Sequence, residues 1–103
     1  MSHVTEVVLF RLNEGTQESD FLRDSQTISD LLKTYDGCIQ RELSTTEDGL
    51  WVDIVIWKDM QTALSAAEQI VQNPIFQQFE AHIKEDSVQM YHAWLKLGTP
   101  QSA

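Results

Sequence analysis

Two short runs of mostly apolar residues carry the strongest fold signal in this chain. Residues 4–12 and residues 50–57 place apolar side chains at both odd and even positions. A strand with one face in water alternates between apolar and polar positions, whereas a strand that is apolar throughout is buried on both faces. We therefore predict two central β-strands, in a sheet whose second face needs a cover that this short chain does not obviously supply.

Two other stretches have the spacing of amphipathic helices. Apolar residues recur every three or four positions across residues 21–35, and an alanine-rich stripe with the same spacing covers residues 63–71. The Asn-Pro pair at residues 73–74 ends the second helix, because proline lacks the backbone N–H that a helix needs. A further short helical segment is predicted over residues 75–83.

Residues 38–44 and 88–97 are the remaining strand candidates, and the Asp-Gly pair at residues 48–49 is typical of a hairpin turn. The resulting order, β-α-β-β-α-β, is that of the ferredoxin-like α+β fold. In that topology the first and third strands are central in a four-stranded antiparallel sheet with its helices on one face. We predict one such domain over residues 1–103.

Side-chain alternation divides each central strand into two faces. We expect the helices to cover the purely aliphatic positions: Val7, Leu9, Val52, Ile54 and Ile56. The open face of the sheet would then carry the other, more aromatic set: Glu6, Val8, Phe10, Trp51, Asp53, Val55 and Trp57. A shift of one residue would invert this assignment.

An open sheet face of this composition would be a large exposed apolar patch, which soluble monomers rarely tolerate. Packing two copies face to face would bury it. At roughly 25 cal/mol per Å² of apolar surface, burying about 1,000 Å² contributes tens of kcal/mol before the cost of association. We therefore expect a symmetric homodimer that forms through the sheet faces.

Composition argues against several classes of partner. The 103 residues carry a formal net charge of −9, which repels nucleic acids and anionic membranes. No apolar run approaches the roughly 20 residues of a membrane helix. The single cysteine, Cys38, fits a reducing compartment, and the first residues do not have the pattern of a signal peptide. We expect a cytoplasmic protein without nucleic-acid or membrane partners.

Several segments resemble the dimeric α/β-barrel superfamily. They are the Val-Val-Leu-Phe-Arg-Leu-x-x-Gly run at residues 7–15, the Asp-Gly pair at 36–37, the Val-Asp-Ile-Val-x-Trp strand at 52–57 and the alanine-rich helix. The superfamily includes antibiotic-biosynthesis-type monooxygenases, stress-responsive barrel proteins and many uncharacterised members. The resemblance covers nearly the whole chain. It implies that two sheets form a barrel and that each subunit often keeps a pocket between its sheet and its helices.

Asp53 is the first candidate catalytic residue, because it lies in the middle of a central strand. Burying a carboxylate is costly unless it is paired. The functional interpretation is a general base or a ligand anchor. The structural interpretation is an ion pair or hydrogen bond, for which Arg41 is a candidate partner.

His92 and His82 are the other candidate catalytic residues. His92 in the last strand could exchange a proton with a ligand, although a structural role would also account for it. By the resemblance, His82 takes the place of a ligand histidine in heme-degrading members. Those members also need an asparagine where this chain has Val8, and a tryptophan where it has Ala66 or Ile70. We therefore expect no heme.

We also expect no metal and no other cofactor. The histidines and the single cysteine lack the spacing of metal ligands, and each of the four glycines is isolated in a turn. The candidate ligand-pocket residues are apolar or aromatic strand residues: Val8, Phe10, Trp51, Trp57 and Tyr91.

Three functions remain open at this point. The first is a cofactor-independent, monooxygenase-like enzyme that acts on a small apolar substrate, with Asp53 or His92 as the base. The second is a non-catalytic protein that binds a hydrophobic ligand, such as a fatty-acyl or polyketide-like compound. The third is a homodimer whose aromatic residues only fill the interface between its subunits.

Overall fold

The four strands form one antiparallel sheet in the order β2-β3-β1-β4, and helices pack on one of its faces. The computed structural model describes residues 3–98. In chain order the elements are β1 (Val4–Phe10), α1 (Glu18–Leu32), β2 (Cys38–Thr45), β3 (Trp51–Trp57), α2 (Met60–Ile70), α3 (Pro74–Glu80) and β4 (Gln89–Trp94). This confirms the predicted ferredoxin-like fold, with β1 and β3 in the centre.

The predicted assignment of strand faces is wrong, and it is inverted on both central strands. Trp51 and Trp57 are 6% and 2% exposed, and they lie under the helical layer. Trp51 packs edge-on against Phe21 of α1, with 4.9 Å between ring centroids, and Trp57 contacts Tyr35 at 6.5 Å. Because both faces of β3 are apolar, alternation alone could not show which face the helices cover.

Side-chain size is the physical reason for this orientation. Indole rings bury the largest apolar area of any side chain, so they gain most where the covering layer is thick. The residues of α2 that are buried toward the sheet are the small Ala63 and Ala66. Ala66 lines the same cavity as Trp57, and its small side chain leaves room for the indole ring between the sheet and the helices.

Within residues 3–98 no helix covers the other face of the sheet, and we call it the open sheet face. Register pairs its residues across the strands, with Val7 opposite Ile54 on one side and Tyr91 on the other. Its centre is aliphatic and half-buried: Val7, Leu9, Val52, Ile54 and Ile56. Its β2 margin is polar: Gln40, Glu42 and Ser44. The open sheet face is therefore apolar, as predicted, but through the opposite set of residues.

Polar side chains begin the two short helices that follow β3. The backbone N–H of Thr62 donates to Oδ1 of Asp59 at 2.8 Å, and the N–H of Ile75 donates to Oδ1 of Asn73 at 2.9 Å. Pro74 then occupies the first turn of α3, where its missing N–H costs nothing. The chain therefore turns sharply between α2 and α3. No helix within residues 3–98 combines the length and hydrophobicity needed to cross a membrane.

Candidate functional site

A cavity of about 260 Å³ lies between the sheet and the helices. Most of its wall is apolar. The strands contribute Val8, Phe10, Val55, Trp57 and Met90. The helices contribute Ile28, Leu32, Ala66, Ala67, Ile70, Phe76 and Phe79. This wall is suited to an apolar molecule.

Local sequence explains why space remains at this place. Ala66 and Ala67 present only methyl groups to the cavity, and the turn at residues 73–74 separates α2 from α3. The exposed lining residues, among them Val71, Glu80, Val88 and Met90, form the mouth of the cavity. We call the part of the wall formed by buried residues such as Asp53 its inner end.

Arg41 and Asp53 form a two-pronged ion pair at this inner end. Nε and Nη2 of Arg41 donate to the two carboxylate oxygens of Asp53 at 3.0 and 2.7 Å. The side chains are only 6% and 11% exposed. Nη1 of Arg41 donates to the carbonyl oxygen of Ser25 and to Oγ of Ser29, both in α1. Asp53 therefore has the ion-pair partner that the structural interpretation required, and the pair joins β2, β3 and α1.

Glu6 places a second carboxyl group in the cavity wall. Nε1 of Trp57 donates to its Oε1 at 3.0 Å, and its side chain is 12% exposed. Burial is the largest influence on this carboxyl and raises its pKa, with a smaller contribution from the nearby charge of Asp53. His92 and the Trp57 hydrogen bond oppose that rise. Glu6 is thus a partly desolvated acid at the edge of an apolar space.

His92 lies next to Glu6 on the neighbouring strand and does not line the cavity. Its Nε2 is 3.4 Å from Oε1 of Glu6. This nitrogen is buried and makes no hydrogen bond to any residue within 3–98. The contact is longer than a good hydrogen bond, and it puts an imidazole ring beside the carboxyl group of Glu6.

His82 belongs to a separate cluster. Its Nε2 lies 2.7 Å from Oδ2 of Asp24, and Nε2 of Gln78 donates to Oδ1 of the same carboxylate at 3.0 Å. These residues join α1 to α3 and the turn that follows it. His82 does not line the cavity, so the structure does not bring it together with Asp53 and His92.

The candidate pocket residues are found in three places. Val8, Phe10 and Trp57 line the cavity. Trp51 lies outside it, against the ring of Phe21. Tyr91 lies on the open sheet face, opposite the helices.

Sequence reasoning missed Glu6 as a site residue. A signal was present, because Glu6 is a carboxylate in the middle of a mostly apolar central strand, as Asp53 is in β3. The predicted faces put both carboxylates on one side of the sheet, so the argument made for Asp53 applied equally to Glu6. Once the faces are exchanged, Glu6, Val8 and Phe10 all point toward the helices.

Cys38 and the acidic side chains add no second chemical centre. Burial and the charge of Glu6 raise the pKa of the Cys38 thiol, which keeps it protonated and poorly nucleophilic at neutral pH. Within the part of the chain that the structure describes, no three His, Cys, Asp or Glu side chains are arranged to hold a metal ion.

Solved structures of other proteins share this fold. SnoaB, a cofactor-independent oxygenase from Streptomyces nogalater, matches in its mutant form with a TM-score of 0.73 and 17% identity over 97% of both chains. A proposed antibiotic biosynthesis monooxygenase from Bordetella bronchiseptica matches with a TM-score of 0.71 and 18% identity, over 94% of this chain and 100% of that one.

A dimeric ferredoxin-like protein from an uncultured marine organism has a TM-score of 0.72 at 8% identity, over 99% of this chain and 95% of that one. All three of these structures have the same fold as this chain. The sequence matches no protein-family model and no curated protein. At these identities the likeness establishes the ferredoxin-like fold that the order of elements predicted, and function has to be argued from the site.

Proposed function

We propose that the protein binds a small apolar molecule in the cavity between its sheet and its helices. The observation that carries this proposal is an apolar wall with charged side chains confined to a few positions: Glu6, Arg41, Asp53 and Glu80. Ligand pockets commonly combine apolar walls with a few placed polar groups.

The size of the cavity suits a molecule, or the part of a molecule, that consists of one or two rings. The volume of about 260 Å³ lies just below the roughly 300–1,000 Å³ of pockets for drug-sized ligands. It exceeds the roughly 150 Å³ that binds benzene in an engineered protein cavity. A bicyclic aromatic compound is therefore a suitable probe.

A titration with toluene tests the proposal. Toluene is expected to shift the side-chain N–H resonance of Trp57 in a ¹H–¹⁵N spectrum, because Trp57 lines the cavity. Ala67→Phe places a ring in the cavity from α2 and should abolish that shift. Leu64→Phe is the matched control, since Leu64 is 50% exposed on the same helix. A folded wild-type protein that shows no response to toluene would refute the proposal.

A second candidate function is a cofactor-independent oxygenase, and the position of Glu6 favours it. A carboxylate with a raised pKa at an apolar cavity can remove a proton from an acidic C–H group of a bound substrate. The resulting carbanion would react with dioxygen. One oxygen atom enters the substrate, which changes from CH₂ to C=O, and the other leaves in water with the two hydrogens. SnoaB, of the same fold, is a cofactor-independent oxygenase.

Dioxygen uptake separates the enzyme from the binder. A neutral bicyclic ketone with an activated CH₂ group, such as 2-indanone, would be consumed with one equivalent of dioxygen. Glu6→Gln should abolish the uptake. Asp53→Asn should keep the uptake when the variant is assayed under conditions where it is folded, because the Arg41 pair leaves Asp53 without a free role in proton transfer. Binding without any uptake supports the non-catalytic function.

We also propose a homodimer formed through the open sheet face. The support is the aliphatic centre of that face, which includes Val7 and Ile54, and its polar β2 margin. A relative in fold is described as dimeric. Since the cavity lies on the other side of the sheet, each subunit would keep its own.

A further inference from the structure

We infer that the molecule bound in this cavity carries one neutral hydrogen-bond donor, an O–H or N–H group, which it gives to Oε2 of Glu6. This inference rests on the proposed function and adds the class of ligand. The ligand is a neutral apolar compound with a donor group, and a carboxylate anion such as a free fatty acid is disfavoured.

The first step is that Arg41 is already occupied. Its guanidinium has five N–H groups. Nε and one N–H of Nη2 donate to Asp53, and the two N–H groups of Nη1 donate to Ser25 and Ser29. One N–H remains, and the charge is already balanced by Asp53. A ligand carboxylate would have to compete with a two-pronged ion pair for this cation.

The second step is that Glu6 keeps an acceptor free. Its Oε1 receives the Trp57 hydrogen bond and lies near His92. Its Oε2 makes no hydrogen bond to any residue within 3–98. It keeps some accessible surface, because it is not one of the completely buried polar atoms without a partner in that range. Because Glu6 lines the cavity and this oxygen has no partner within 3–98, we assign Oε2 as the acceptor for a bound molecule.

The third step is the charge around the cavity. Among the lining residues within 3–98, Glu6 and Asp53 lie on the wall with Arg41 as the single cation, and Glu80 lies at the mouth. An anion would enter an apolar space next to unbalanced negative charge, at the cost of its own hydration. A neutral donor avoids that cost and gives the free oxygen of Glu6 a partner.

Indole and benzofuran are the probes for this inference. They have the same bicyclic shape, but indole has an N–H where benzofuran has an oxygen that can only accept. We expect indole to bind the wild-type protein about tenfold more tightly or better, from the strength of a hydrogen bond to a charged group. Benzoate, a smaller anion, should bind more weakly than either probe. Binding is measured by NMR titration at pH 7.5.

Glu6→Gln makes the assignment specific. The amide oxygen of glutamine can still accept from Trp57, while its NH₂ group would replace the free acceptor with a donor. The preference for indole should then disappear or reverse in favour of benzofuran. Glu68→Gln removes the same charge from an exposed position on α2 and should leave the preference intact.

The outcomes separate this inference from the proposed function. Equal binding of indole and benzofuran by the wild-type protein would overturn the donor assignment and leave the apolar cavity standing. Tighter binding of benzoate would overturn the charge argument. If neither neutral probe binds and toluene also fails, both the inference and the proposed function are refuted. The wild-type comparison alone is decisive if Glu6→Gln does not fold.

Discussion

At the scale of single residues, the ion pair with Arg41 determines which roles the buried carboxylate of Asp53 can have. Both of its oxygens are engaged by Arg41, which is itself held by two serines of α1. The cost of burying either charge alone is several kcal/mol, so the two side chains stabilise the fold only together. Asp53 thus positions Arg41 at the inner end of the cavity.

Asp53→Asn is expected to lower the free energy of unfolding by about 3–5 kcal/mol, because it leaves the Arg41 charge buried without a counter-charge. Urea denaturation measures this loss. Asp48→Asn is the control, since Asp48 pairs with Arg11 where the side chains are 75% and 44% exposed. The control should have little effect, because exposed ion pairs are screened by water. Equal effects of the two substitutions would contradict the assigned role of Asp53.

The buried carboxyl of Glu6 predicts a pH dependence of stability. Its ordinary pKa of 4.5 is raised in the folded protein by burial. Between pH 4.5 and the raised pKa of the folded protein, the unfolded chain has released a proton that the folded protein still holds. The free energy of unfolding therefore falls as pH rises between these two values. His92, Asp53 and Cys38 are the titratable groups whose charges act on Glu6, or are acted on by it.

Glu6→Gln should remove this decline, because glutamine does not titrate. The measurement is a series of urea unfolding curves from pH 4.5 to pH 7, in which the difference between wild type and variant isolates the contribution of Glu6. Glu68→Gln should keep the wild-type slope. A Glu6→Gln series parallel to the wild type would show that the carboxyl has no raised pKa in the folded state.

At the scale of elements, periodicity predicted the strands and helices but not the orientation of the sheet. The order of elements and the central position of β1 and β3 follow from local pattern and known topology. The face of β3 that meets the helices depends on which side chains fill the space above it. That is a packing question between residues distant in sequence, and alternation carries no information about it.

The site, like the fold, could be predicted only in part. A carboxylate in a central strand marked Asp53, and the same argument applied to Glu6. The contact between His82 and Asp24 could not be predicted, because it joins residues 58 positions apart through the packing of α1 against the segment after α3. Periodicity reports which helix face is apolar, but not which polar side chains meet across two helices.

At the scale of the whole molecule, the two sides of the sheet differ in composition. The helix side holds the cavity and its charged groups, whereas the open sheet face carries a neutral aliphatic centre and, among the β2 positions that flank it, the charge of Glu42. Exposed apolar surface of this extent favours association. The net charge of −9 on each chain opposes it at long range, so added salt should strengthen the dimer.

Ile54→Lys tests the dimer at the centre of the open sheet face. In the register of β3, Ile54 lies between Val7 and Glu42, so a lysine there would place an ammonium group from each subunit in an apolar interface. We expect the wild type to sediment as a dimer at micromolar concentration and the variant as a folded monomer with an unchanged far-UV spectrum. Leu64→Lys, an exposed position on α2, should stay dimeric. A monomeric wild type, or a variant that stays dimeric, would show that the open sheet face is not the interface.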